Sequence, residues 1–230
     1  MSATDIPNQA ETATSIITET AAALGGTSGY SQAVRDALTD YNVAIGDALA
    51  VGDQASSDLA ELAAKKDLIP AHGFERLHGE VVADAAKLSD AALRRAETAE
   101  ARLMEALTVD ALPKLDPNRE SLAREELRAA FDGADGKTVF SRLTNIAQNG
   151  SREVVAVLFT GYGQTLLASK GANAREIAEA LSTARVIAAR MAPELGETDR
   201  QKMAGAALLK VGKLGGARTA ARLYVRGIVG

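Results

Sequence analysis

The chain has no cysteine in its 230 residues. That excludes a disulfide framework, a thiolate nucleophile and a Cys-ligated metal. There is no tryptophan, and only four Phe and four Tyr. The interior must therefore be filled by smaller side chains. Five prolines occur, at positions 7, 70, 113, 117 and 193, and each reads as punctuation between helices. No stretch alternates β-branched or aromatic residues between hairpin turns, so strands are not expected. The start, Met-Ser-Ala-Thr-Asp-Ile-Pro, lacks a basic segment followed by an apolar one, and no signal peptide is expected. The longest uncharged run, Val154 to Ser169, has 16 residues and includes Gly161, Gly163 and Gln164. It is short and polar for a bilayer span and fits a buried core helix. The expected location is cytoplasmic or virion-associated, with no membrane contact.

What fills the chain instead is alanine, with 47 residues. Alanine is the best helix former and covers little area, so helices should pack closely through small side chains. The expected fold is all-α: a long antiparallel helical hairpin followed by a C-terminal multi-helix bundle.

The hairpin rests on two periodic stretches. Phe74, Leu77, Val81, Ala85, Leu88, Ala92, Ala96, Ala99, Leu103 and Leu107 step in an eleven-residue repeat, about 3.67 residues per turn. Before it, Val34, Leu38, Tyr41, Ile45, Ala48, Gly52, Ala55, Leu59 and Leu62 follow a heptad-like seam. Pro70 and Gly73 make the turn. Folding about Ile69 places Arg94 and Arg95 beside the acidic stretch Asp40–Asp47. The two periods do not match throughout, so a gently twisted hairpin is expected rather than a regular coiled coil, with one Ala-rich side left for another partner.

Boundaries follow from the breakers. Residues 1–27 are a lead and a short helix with Ile16, Ile17 and Leu24 on its apolar side, stopped by Gly25-Gly26. Residues 28–110 are the hairpin, 111–117 a linker, and 118–230 the bundle with basic last helices. Asp116 caps the helix that Pro117 opens, and Asn173 with Glu176 forms a capping box. Val154–Ser169 is expected as the central helix, packed by Ile177, Leu181, Ala184, Ala188 and Met191.

Charge is segregated. Residues 1–63 hold nine acids against Arg35 alone, whereas residues 200–230 hold seven bases and no acidic side chain. Such polarity favours an anionic partner at the C-terminal end or head-to-tail contact between subunits. Lys210, Lys213, Arg218, Arg222 and Arg226 are the candidate residues for an anionic surface, with the arginines recurring every four positions.

Other motifs read as architecture. Gly133-Ala-Asp-Gly136-Lys137-Thr138 ends like a phosphate loop, but Phe131 stands where the first glycine belongs, and a helix rather than a strand precedes it. Glu75 and His78 have metal-ligand spacing, yet His72 and His78 are the only histidines, and a di-metal bundle needs two such pairs. No Gly-x-Ser-x-Gly elbow is present. Gly161-Tyr162-Gly163 reads as close helix contact in preference to a hinge. No catalytic, cofactor or metal residue is assigned. The function expected is a non-enzymatic structural or assembly protein, of the virion or scaffold kind, that self-associates or meets an acidic protein surface. A nucleic-acid-binding module using the basic segment is the second reading. A small-ligand or enzymatic bundle with its pocket near Tyr162 is the third.

Overall fold

The computed structural model describes residues 5–23, 29–135, 138–171, 173–195 and 198–230. Among them there is no strand, and the fold is all-α. The helices are α1 (Asp5–Ala23), α2 (Gln32–Ala64), α3 (Ala71–Ala111), α4 (Pro117–Ala130), α5 (Val139–Asn149), α6 (Arg152–Leu158), α7 (Gly161–Ser169), α8 (Ala174–Leu195), α9 (Asp199–Val211) and α10 (Leu214–Val229). They divide into two compact units. The first combines α1 with Gln32–Leu103 and Lys210–Gly230, and the second combines Gly29–Ser31 with Met104–Leu209. The last helix groups with the first unit.

In the first unit, the α2 seam is buried at Val34, Leu38, Tyr41, Ile45, Ala48, Ala55 and Leu62. A single 3-10 turn at Lys66–Leu68 and the Gly73 N–H to Pro70 carbonyl bond reverse the chain into α3. Arg95 Nη2 lies 2.9 Å from Asp47 Oδ2, and Arg102 Nη1 lies 3.8 Å from Asp40 Oδ2. One pair is seven residues later on α2 and seven earlier on α3, so the rods run antiparallel. These exposed pairs mark the register but add little stability, ~0.2–1 kcal/mol each.

The last helix, α10, seats on the opening helices of this unit. Its residues Leu214, Ala217, Ala221 and Val225 are buried, and it packs on α1 and α2. The approach is close where Gly52 meets Tyr224: a Cβ at Gly52 would stand 2.6 Å from the ring. The heptad glycine thus serves α10. Among the described residues of α1, Ala13 and Thr20 are buried, with Ile16 and Ile17 half-buried. Leu24, Gly25 and Gly26 lie outside the described residues.

The second unit is built by local chemistry first. Asp116 accepts the N–H groups of Asn118 and Arg119 at 3.0 Å, with Pro117 at the first helical position. Asn173 and Glu176 cap α8 reciprocally, at 2.9 and 3.0 Å. The core joins Leu127 of α4 and Phe131 just past its end, Leu143 of α5, Val157 and Leu158 of α6, and Leu181 and Ala184 of α8. The Met191 side chain lies outside the described residues.

One expected helix is two. The chain breaks at Phe159–Thr160, where Thr160 is extended (ψ 172°). Gly163 sits in the corner, and a Cβ there would stand 2.0 Å from the Leu158 carbonyl oxygen. Gly163 thus serves a tight α6–α7 corner instead of a helix interior. We expect Gly163→Ala to cost about 1–3 kcal/mol by overpacking against backbone, read by urea denaturation.

Candidate interaction surfaces

The basic C-terminal segment splits by direction. Arg218 turns inward: its Nε lies 2.8 Å from Glu100 Oε2 and its Nη1 lies 3.5 Å from Glu97 Oε1, both on α3. The Glu100 side chain is only 14% exposed. Burial raises its carboxyl above the ordinary range, while Arg218 pulls it back down. Tyr41 completes the cluster, donating its hydroxyl to the Leu214 carbonyl at 2.6 Å. Its phenol is pushed well up, first by burial and then by Glu100.

Lys210, Lys213, Arg222 and Arg226 point to solvent. None has an ion-pair partner among the described residues. The exposed side of α10 carries Gly216 and Thr219 beside Arg222 and Arg226, so the cations stand above small residues. Tyr224 is turned away from them and donates to Asp53 of α2. Burial and that carboxylate push its phenol up to about 12.

A second surface was not anticipated. Along the distal half of the hairpin, α2 and α3 stand apart and leave an open groove of about 870 Å³. Its floor is aliphatic, with Val51, Ala55, Leu62, Val81, Leu88 and Ala92. Leu88, expected in the seam, is 56% exposed, although Ala85 and Ser89 on either side of it are buried. The buried stripe of α3 runs through Ala85, Ser89, Ala92, Leu93 and Ala96 and so passes beside Leu88. Five carboxylates line the groove, Asp47, Asp58, Glu61, Glu80 and Asp84, against Lys65 and Arg95. Glu61 pairs with Lys65 at 3.6 Å and Glu80 with Arg76 at 2.7 Å, all largely exposed. Asp58 accepts from the Gln54 amide.

The remaining motifs fall into place as structure. Glu75 and His78 are exposed, and His78 stacks near Phe74 with ring centroids 6.2 Å apart. No group of three metal-ligating side chains occurs among the described residues. Gly136 and Lys137 lie outside the described residues. Beside them, Thr138 donates its N–H to Asp135 Oδ1 at 3.1 Å, as an interhelical turn requires. Tyr162 is half-buried under the Arg124 guanidinium, 5.0 Å from the ring centroid, and its hydroxyl donates to the Arg124 carbonyl at 3.4 Å. That face of Tyr162 is occupied. Asp110, in the stretch before the paired prolines, accepts the Ser31 N–H at 2.9 Å and lies 3.7 Å from Arg200. Spacing gave no signal for that contact, since its partners stand far away in sequence.

No known family profile matches the chain, and neither a curated protein nor a solved structure resembles it. No described helix is long and apolar enough to cross a membrane.

Proposed function

We propose that this protein is a non-enzymatic structural and assembly protein, of the scaffold or virion-component kind, working through helix packing and a basic C-terminal face. The observation that carries the reading is the two-sided state of α10. Its apolar side is sealed against α1 and α2, while Lys213, Arg222 and Arg226, with Lys210 before them, are held toward solvent without internal carboxylates. A rigidly seated helix presents its cations at fixed positions, which favours a specific acidic protein surface, including an acidic face of another copy. The acidic α2, with six carboxylates against Arg35, is such a face.

Light scattering on the full chain tests this. A defined oligomer should appear at low salt and survive nuclease treatment. Arg222→Glu with Arg226→Glu should weaken its association at least tenfold. The nucleic-acid reading predicts instead that polynucleotide copurifies and leaves as salt rises. With no tryptophan in the chain, its absorbance would be plain. A monomer at all concentrations that captures neither polymer nor protein would end the assembly reading.

A further inference from the structure

The groove between α2 and α3 has proportions that select its occupant. Its lining runs from Asp47 along α2 to Lys65 just past the helix end, and from Leu77 to Arg95 on α3, with Ile69 in the turn between. Both arms therefore contribute the same span, about 27 Å at 1.5 Å per residue. A small molecule would leave most of that length empty, whereas one helix of about 18 residues matches it. The aliphatic floor asks for an apolar helix face, as in helix-in-groove recognition. The lining charge then sets the sign of the flanks. Asp58 and Asp84 have no cation beside them, and Glu61 and Glu80 are held only by exposed pairs that exchange cheaply. A second hairpin docked symmetrically would set these carboxylates against their own copies, a repulsive arrangement.

We infer that this groove is the docking site for a basic amphipathic helix of a partner protein. Its Leu and Ala side chains lie on Val51, Val81 and Leu88, and its Lys and Arg side chains meet Asp58, Glu61 and Asp84. The Asp47–Arg95 pair closes one end of the groove and the Ile69 turn the other. The groove shares no residue with the basic face, but Asp47, Asp58 and Glu61 also belong to the acidic α2 face offered to another copy, so peptide binding is read at a protein concentration below self-association.

The test uses the full chain and a fluorescein-labelled synthetic 18-residue peptide, helical, with a Leu/Ala face flanked by lysines. Fluorescence anisotropy should report saturable binding at 0.15 M salt, and the same peptide with glutamates for lysines should bind at least tenfold more weakly. Val81→Asn with Leu88→Asn keeps the net charge and should cost tenfold or more. Leu88→Asn alone changes an exposed side chain, so it should keep the fold by circular dichroism and still weaken binding severalfold. Asp58→Lys with Asp84→Lys should also cost tenfold, while the same charge change at Asp36 and Glu125, away from the groove, should cost less than threefold. Absence of saturable binding by the lysine peptide would overturn the proposal. So would floor variants that bind like wild type, equal losses from groove and distant charge reversals, or equal binding of the glutamate peptide. Each would leave only diffuse attraction to an acidic protein, or none.

Discussion

Replacing Arg218 with methionine should destabilise the first unit by about 3–5 kcal/mol at neutral pH, the usual cost of stranding one member of a buried ion pair. The variant leaves Glu100 with its side chain 14% exposed and without the guanidinium 2.8 Å away. Glu97 loses little, because it is 68% exposed and stays hydrated. Burial already raises the Glu100 carboxyl in the intact protein, and removing the cation raises it further. A carboxyl whose folded pKa exceeds its unfolded value binds more protons when folded. Its contribution is favourable below the unfolded value and is lost as pH rises through the folded one. The deficit of Arg218→Met should therefore be smallest near the ordinary carboxylate range and grow with pH, by at most about 1.4 kcal/mol per unit. Urea denaturation of variant and wild type at several pH values reads this directly. Adding Glu100→Leu should recover most of the loss and abolish its pH dependence, since an apolar pair of similar size is often neutral in such a site. A pH-independent deficit that Glu100→Leu does not relieve would show that Arg218 acts through packing alone.

Arg218 also shows where sequence reading stops. Residues four apart on a helix share a stripe only approximately. At 3.6 residues per turn each step of four drifts by about 40°, so Arg226 stands roughly 80° from Arg218. Spacing alone placed Arg218, Arg222 and Arg226 together, but that drift separates an inward cation from two outward ones. Its partner Glu100 is on α3, far back in the chain, and no local pattern signals such a contact. The caps at Asp116–Pro117 and Asn173–Glu176 were legible because they are closed by neighbours three residues apart. The α2 seam was legible for the same reason, being one face of one helix. The α3 seam was legible in period but not in cover: Leu88 keeps the repeat and yet faces an open groove, because periodicity marks the apolar side of a helix and not whether a partner reaches it. The break at Thr160 carried no proline, and Gly163 was visible only as a small residue. The backbone contact that makes glycine obligatory there is a tertiary fact.

Phe131→Ala should cost the second unit about 3–5 kcal/mol, the range for truncating a fully buried aromatic. Phe131 caps the end of α4 and is 0% exposed in a core shared with Leu127, Leu143 and Leu181. In a chain so poor in aromatics, it is the only fully buried Phe; Phe159 and Tyr162 pack only at the edge of the same core. Its backbone N–H bonds the Leu127 and Arg128 carbonyls, so the Cα is pinned and relaxation into the cavity is restricted. Because the chain forms two compact units, a single unfolding free energy would average unlike events. Amide hydrogen exchange resolves them. Protection in α4, α5 and α8 should fall by at least 100-fold, as about 3 kcal/mol requires. The amides of α1, α2 and α10 belong to the other core and should change by less than threefold. A uniform loss of protection over both sets would mean that the two cores open together.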